Sequence, residues 1–140
     1  MIVVDTNVMA YLLIAGKKTE LAQQAYDKDR AWIVPLLWQH EFLNVLASFV
    51  QYGGGAIEDA TEIWQQATAL FTVREHEVNM EHALYLAHEH GVSAYDAQFA
   101  STALELELPL ISEDRRLLHA FPEIARSLDA FVTAETDEFE

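Results

Sequence analysis

The chain opens on three consecutive β-branched residues, Ile2-Val3-Val4, and changes character at Asp5-Thr6-Asn7. A short unbroken apolar run bounded by polar turn formers reads as a strand buried on both faces, and the polar set after it suits a turn or a helix cap. The pattern predicts a strand feeding a helix over Val8 to Ile14, then a second helix from Thr19 to Asp29. Ala31-Trp32-Ile33-Val34 repeats the apolar run. Pro35 stands where a first helical turn tolerates proline, so a helix reaching Tyr52 is expected after that strand. Gly53-Gly54-Gly55 breaks it. Ala60, Ile63, Trp64, Ala67 and Leu70 then fall at three- and four-residue steps, predicting a helix from Ile57 to Phe71 as the second arm of a helical hairpin.

The second half alternates in the same way. Thr72-Val73-Arg74 reads as a brief strand, Asn79 as the cap of a helix that stops at Gly91, and Ser93 as the start of a helix to Leu106. Pro109-Leu110-Ile111 is the next strand and Ser112-Glu113-Asp114 its exit; a short helix through Leu118 precedes a last strand near Ala130 to Val132. No repeat or low-complexity linker interrupts the pattern, which predicts one domain over 1–134 and a frayed acidic tail over 135–140. Short buried strands alternating with amphipathic helices indicate the α/β class, a sandwich of helices around a short, mainly parallel central sheet.

A chain of 140 residues buries roughly two thirds of its unfolded surface, so it needs no disulfide or metal staple to fold. The absence of cysteine excludes disulfides, thiolate zinc sites, iron–sulfur clusters and cysteine nucleophiles, leaving carboxylates, imidazoles and hydroxyls. With 23 acids against 8 bases the net charge is −15, which argues against a protein that coats nucleic acid by neutralising phosphates. No apolar run approaches the roughly 18 residues of a membrane span, and no basic stretch precedes Ile2, so a cytoplasmic protein without membrane association is expected.

In open α/β sheets ligands bind beyond the carboxyl ends of strands, which directs attention to Asp5 after the first strand and Asp114 after Leu110-Ile111-Ser112. Asp is also the default strand-exit residue, so each taken alone reads equally as turn chemistry. Glu41 lies beside the apolar stripe of its helix, flanked by Leu37, Trp38 and Val45, with Asn44 and Ser48 continuing a narrow polar track. No Lys or Arg occurs between 31 and 73 to pair with it. Asp96, in Ser93-Ala94-Tyr95-Asp96, occupies the fourth place of a capping box and also the first turn of a helix next to a loop. His40, His82, His88, His90 and His119 share no metal-ligand spacing, apart from His82 and His88 six residues apart or nearby Glu residues, and read as surface or boundary residues.

Taken together, Asp5-Thr6-Asn7 after a first strand, Glu41 with Asn44 on a helix, Tyr95-Asp96-Ala97 opening a late helix and Ser112-Glu113-Asp114 form an ordered set. This set resembles the PIN-domain family, particularly its small VapC-type toxins, from Val3 to about Val132. The resemblance implies a metal-dependent endoribonuclease in which Asp5, Glu41, Asp96 and Asp114 gather at one pocket and hold Mg²⁺ or Mn²⁺. Two carboxylates about 5 Å apart repel by roughly 3 kcal/mol at an effective dielectric near 20, so ionising all four calls for divalent cations. All-oxygen ligands select hard ions that retain water. Asp5 and Asp96 would be the direct ligands, Glu41 and Asp114 would bind directly or through water, and Thr6, Asn7, Asn44 and Ser112 would orient them.

Arg115 and Arg116 follow Asp114 directly, and either receive phosphates flanking the metal or neutralise Glu113 and nearby acids. The resemblance further implies an RNA substrate, an inhibitory antitoxin, for which the acidity here suggests a basic protein, and a homodimer. Two rival readings stand beside it. A haloacid-dehalogenase-type phosphotransferase would use Asp5 as nucleophile, but Asn7 stands where its general acid belongs and no lysine follows Lys28. A catalytically silent PIN-like binding module would keep the acids only as caps and turn residues.

Overall fold

The computed structural model describes residues 1–135; the expected acidic tail lies outside them from 136 onward. Among these residues five strands form one parallel sheet: β1 (Ile2–Val4), β2 (Trp32–Pro35), β3 (Glu75–His76), β4 (Leu110–Ile111) and β5 (Ala125–Arg126), in the order β3-β2-β1-β4-β5. β1 is central, with Val3 opposite both Ile33 and Leu110. The order in which the chain adds strands reverses at β1, since β2 and β3 lie to one side of it and β4 and β5 to the other. The crevice beyond the carboxyl ends of β1 and β4 is therefore the topological switch point, where α/β sheets take ligands.

Among the described residues eight α-helices surround the sheet: α1 (Thr6–Leu13), α2 (Thr19–Lys28), α3 (Trp38–Tyr52), α4 (Ile57–Phe71), α5 (Met80–His90), α6 (Ala94–Leu106), α7 (Arg115–Ala120) and α8 (Leu128–Thr133). Because side chains alternate across a strand, β1 feeds both layers. Ile2 and Val4 join Trp32, Val34 and Ile111 in a core with Val8, Phe42, Phe71 and Phe131 from the first helical layer. Val3 and Leu110 point the other way, into a core with Leu86, Phe99 and Leu117. The predicted three-layer α/β/α sandwich is thus the observed architecture. On the first face Trp38 stacks on Trp64 at 5.7 Å and meets Phe71 edge-on at 5.8 Å, fastening α3 and α4 to the sheet. Among the described residues no helix is long and apolar enough to cross a membrane.

The glycine break between α3 and α4 is a built turn. Gly54 has φ +75°, and a Cβ on Gly55 would stand 2.2 Å from the Phe49 ring. Gly91 ends α5 in the left-handed region with φ 66°, and Asn79 caps that helix through the His82 amide at 3.1 Å, as the sequence predicts.

Four expectations are corrected. α1 begins at Thr6 rather than Val8, because Asp5 itself is its cap. Pro35 closes β2 instead of opening α3; pairing with β1 has ended at Ile33, so its missing N–H is no loss there. Thr72–Arg74 is a 3₁₀ turn that continues out of α4, and the strand is the pair after it, Glu75–His76. Ala130 to Val132 lie in α8, which starts because the Ser127 hydroxyl accepts from the Ala130 amide at 3.1 Å; the last strand is instead Ala125–Arg126. A three-residue apolar run has no periodicity to separate a buried helix from a strand.

Candidate active site

Each acid of the predicted set reaches the switch point by a different element. Asp5 leaves β1 and caps α1, its Oδ1 accepting from the Val8 amide at 3.0 Å. Its Oδ2 accepts from the Ser112 hydroxyl, which arrives from the end of β4. Ser112 is bound on its other side, its Oγ accepting from the Asp114 amide at 3.0 Å, so one buried hydroxyl ties the exits of β1 and β4 together. Asp114 in turn caps α7 by accepting from the Arg116 amide at 2.7 Å. Glu41 stands on the first turn of α3, where the Thr6 hydroxyl donates to its Oε1 at 2.8 Å. Asp96 opens α6, which packs across β1 and β2.

These side chains share one cleft of about 220 Å³, lined by Asp5, Thr6, Asn7, Glu41, Asn44 and Asp114, with Val45, Asp96 and Phe99 completing the wall. Val45 and Phe99 carry no chemistry of their own. They follow Glu41 by four residues and Asp96 by three, and so present apolar surface on the same helix faces. None of the histidines lines the cleft. His82 is engaged with the Ser101 hydroxyl at 2.8 Å, and His90 with the Ala120 carbonyl at 3.1 Å.

Burial and crowding act on Asp5, Glu41 and Asp96 in one direction. Asp5 is 6% exposed, and desolvation pushes its pKa from 3.8 up to about 6, although Ser112 and the Val8 amide favour its anion; the charges of Asp114 and Asp96 raise it further. Burial also raises Glu41, eased by the Thr6 hydroxyl and opposed by the charge of Asp96. Asp96 is raised by burial and by Asp114, with relief from the Ser93 hydroxyl and the Arg116 guanidinium. The cleft therefore holds more negative charge than its own donors compensate.

That surplus is what a hard cation relieves, and the donors are all oxygen. Among the described residues no three acidic or imidazole side chains converge into a ready-made cage. A cation bound there would have to keep part of its water shell. At the head of α6 the Ser93 hydroxyl accepts from the Asp96 amide at 3.0 Å and caps the helix, while the Asp96 side chain lies on the cleft wall. Asp5 and Asp114 cap and face the cleft at once, since a carboxylate has about four lone-pair sites.

The basic residues part company. Glu113 turns away from the cleft to Lys18 at 3.4 Å and to the first amide of α8, so it needs neither arginine for neutralisation. Arg116 is exposed, yet its charge is felt by Asp96. Arg115 is exposed on α7, and among the described residues no hydrogen bond or ion pair joins it to the cleft.

The PIN domain family model matches residues 2–125. The chain belongs to the PIN domain family. This PIN domain is 28% identical over 125 residues to ribonuclease VapC3 of Pyrobaculum aerophilum, the match spanning 86% of this chain and 95% of that one. Its fold is similar to that of PAE2754 from Pyrobaculum aerophilum, with TM-score 0.74 and 20% identity over 93% of this chain and 85% of that one. It is similar as well to FitAcB from Neisseria gonorrhoeae, TM-score 0.69 at 18% identity, and to a toxin–antitoxin complex from Klebsiella pneumoniae, TM-score 0.65 at 19% identity. Each of these two comparisons covers 91% of this chain and 98% of the other.

Proposed function

We propose that this PIN domain is a Mg²⁺- or Mn²⁺-dependent endoribonuclease, the toxin of a toxin–antitoxin pair. The observation that carries the reading is the convergence of Asp5, Glu41, Asp96 and Asp114, from four separate elements, on one cleft at the switch point. The similarity to ribonuclease VapC3 supports the choice of RNA phosphodiesters as substrate, and the fold shared with a toxin–antitoxin complex supports the pairing. The silent-module reading loses its basis where the acids crowd at a cost, because caps alone have no reason to share a cleft. The phosphotransferase reading fails on family membership.

In this reading Asp5 and Asp96 hold the ion directly, with Glu41 and Asp114 at its edge. A bound divalent ion supplies counter-charge, acidifies a water and offsets charge on the phosphate under in-line attack. The protein's own work is positional. Ser112 and the Val8 amide fix both oxygens of Asp5, Thr6 fixes Glu41, and Asn7 and Asn44 offer amides at the cleft wall. Arg116, whose charge reaches Asp96, is placed to receive a flanking phosphate, with Arg115 beside it. The net charge of −15 makes a basic antitoxin the natural partner, and a cytoplasmic homodimer is the working form.

Cleavage of single-stranded RNA tests this. The purified chain is expected to cut with Mg²⁺ or Mn²⁺, to stop with EDTA, and to ignore a zinc-selective chelator. Asp5→Asn is expected to abolish cutting with the fold retained. Robust cleavage by that variant, or by metal-stripped protein, refutes the proposal.

A further inference from the structure

The face of α1 that enters the acidic cleft does not end there. Asn7 lines that cleft, and Ala10, Tyr11 and Ile14, three, four and seven positions further on, stand on the same side of the helix and line a second concavity of about 400 Å³. Its other wall is the turn into α2, with Lys17, Lys18 and Thr19. Among the described residues no acid lines it, whereas the four carboxylates of the cleft begin one helical turn, about 5.4 Å, back along α1. Both walls are held in place. Tyr11 packs on the first core, and the Thr19 hydroxyl accepts from the Gly16 amide at 2.9 Å while donating to the Ile14 carbonyl at 3.1 Å.

Lys18 joins the two sites. Its Nζ lies 5.2 Å over the Tyr11 ring and 3.4 Å from Oε1 of Glu113, the residue before Asp114. That ion pair is long and the Lys18 side chain is 45% exposed, so the lysine is weakly held. Glu113 has a second duty, its Oε2 accepting from the Leu128 amide at 3.4 Å, and keeps it when Lys18 leaves. A phosphate offers Lys18 a stronger partner, and drawing the lysine off the ring opens an aromatic face. The distribution of charge points to the same ligand. Of 8 basic residues on a chain of net charge −15, Lys17, Lys18, Arg115 and Arg116 stand on the two segments that the Lys18–Glu113 pair brings together. A polyanion that approaches the acidic cleft is repelled elsewhere and finds its positive charge here.

We infer that the concavity between Tyr11 and Lys18 is a nucleotide subsite for single-stranded RNA: a base stacks on Tyr11 above Ala10 and Ile14, and its phosphate is held by Lys18 with Lys17 beside it. The inference rests on the ribonuclease reading for the identity of the strand, which leaves the carboxylates along α1 and past Asn7. Tyr11 and Lys18 bind and do not catalyse. The subsite selects for unpaired RNA, because a base within a duplex is stacked on its neighbours and has no free face for Tyr11. It tolerates sequence, since every base has a face to stack.

The test uses the whole chain in EDTA, where the strand stays intact, and a short fluorescein-labelled single-stranded oligoribonucleotide followed by anisotropy at several salt concentrations. Lys17→Gln and Lys18→Gln are each expected to weaken binding about fivefold and to lower the slope of log affinity against log salt by about 0.7. Arg30→Gln removes the same charge beyond the far end of α2 and is expected to change binding by less than about twofold. Tyr11→Leu is expected to cost about fivefold or more at an unchanged slope, and Tyr11→Phe to bind as wild type does. Annealing the strand to its complement is expected to abolish the dependence on Tyr11. Circular dichroism melts verify each fold. Equal losses in Lys18→Gln and Arg30→Gln, wild-type binding by Tyr11→Leu, a duplex as sensitive to Tyr11 as the single strand, or no binding by the wild type overturns the inference. Cleavage in Mg²⁺ on the same preparations separates the readings. Binding as expected without cleavage refutes the nuclease alone, and cleavage with a KM unmoved by Lys18→Gln and Tyr11→Leu refutes the subsite alone.

Discussion

Asp5→Asn makes the sharpest prediction, because the same change that is expected to end catalysis is expected to stabilise the metal-free protein. Asp5 is 6% exposed and its pKa is pushed from 3.8 up to about 6. A carboxyl that binds its proton more tightly when folded destabilises the fold once it ionises. The sign follows from linkage: below 3.8 the group is neutral in both states and costs nothing. Between 3.8 and about 6 the unfolded chain ionises first and stability falls. Above about 6 the full penalty applies, which the separation of the two values sets at about 3 kcal/mol. Asparagine keeps an acceptor for the Val8 amide and removes the charge, but it obliges the Ser112 hydroxyl to turn and accept instead of donate. The gain is therefore at most about 3 kcal/mol at neutral pH.

For a chain of 140 residues that is a rise in melting temperature of up to about 10 °C. The assay is thermal melting of both proteins in EDTA from pH 4 to pH 8. The two curves are expected to meet near pH 4, to separate by about half of the full gap near pH 5, and to run parallel above pH 7 with the variant higher. In Mn²⁺ the order is expected to narrow or invert, since only the wild type gains from the ion. A variant less stable than wild type at pH 7.5 in EDTA, or a gap independent of pH, refutes the reasoning.

Asp96→Ala is expected to leave the metal-free melt nearly unchanged, because Ser93 caps α6, while the Mn²⁺ increment of about 2.7 kcal/mol at a hundredfold excess over Kd collapses. An equal Mn²⁺ shift in variant and wild type removes Asp96 from the site. Ser93→Ala, by contrast, is expected to cost about 1 kcal/mol with or without the ion, by loss of the cap. Thr6→Val deprives Glu41 of its donor, so the Glu41 pKa rises further and cleavage is expected to fall about tenfold or more at unchanged fold, read from kcat and a shifted pH profile. Association with a basic partner protein is expected to slow steeply as the Debye length drops below about 10 Å, and a salt-independent on-rate contradicts the charge argument.

The central strands were legible because they are buried on both faces: Ile2-Val3-Val4 and Trp32-Ile33-Val34 leave no doubt about apolar runs, and the helices between them advertise their faces by spacing. The edge strands were not. Glu75–His76 and Ala125–Arg126 are two residues each, they hold their places through backbone pairing with β2 and β4, and nothing in their side chains marks them. Val73 looked more like a strand residue than either, yet it is 82% exposed on a 3₁₀ turn, and Phe131 lends Ala130–Val132 an apolar look because it fills the core from α8. Local pattern reports burial well and pairing poorly, since pairing depends on where the rest of the sheet has gone.

The site shows the same boundary between local and long-range information. Asp5, Asp114 and Asp96 were legible as acids at element ends, and Glu41 as an acid on the edge of an apolar stripe. Hidden from the sequence were the partners that the fold supplies across it: Thr6 for Glu41 at a separation of 35 residues, Ser112 for Asp5 at 107, and Lys18 for Glu113 at 95. That last pair shows which way Glu113 faces.

The two readings of these acids, cap and ligand, also prove compatible in a way that spacing alone does not reveal. An aspartate that merely caps a helix sits near positive amide ends and has its anion favoured, which lowers its pKa. Asp5 makes that cap, accepts a second bond from Ser112, and still ends up at about 6. A lone cap would give no reason for the fold to bury the carboxyl this deeply, nor to bring Asp114 and Asp96 within range of its charge. The uncompensated repulsion is a cost in stability that the fold carries at its switch point, and it is the cost that the proposed divalent ion would offset.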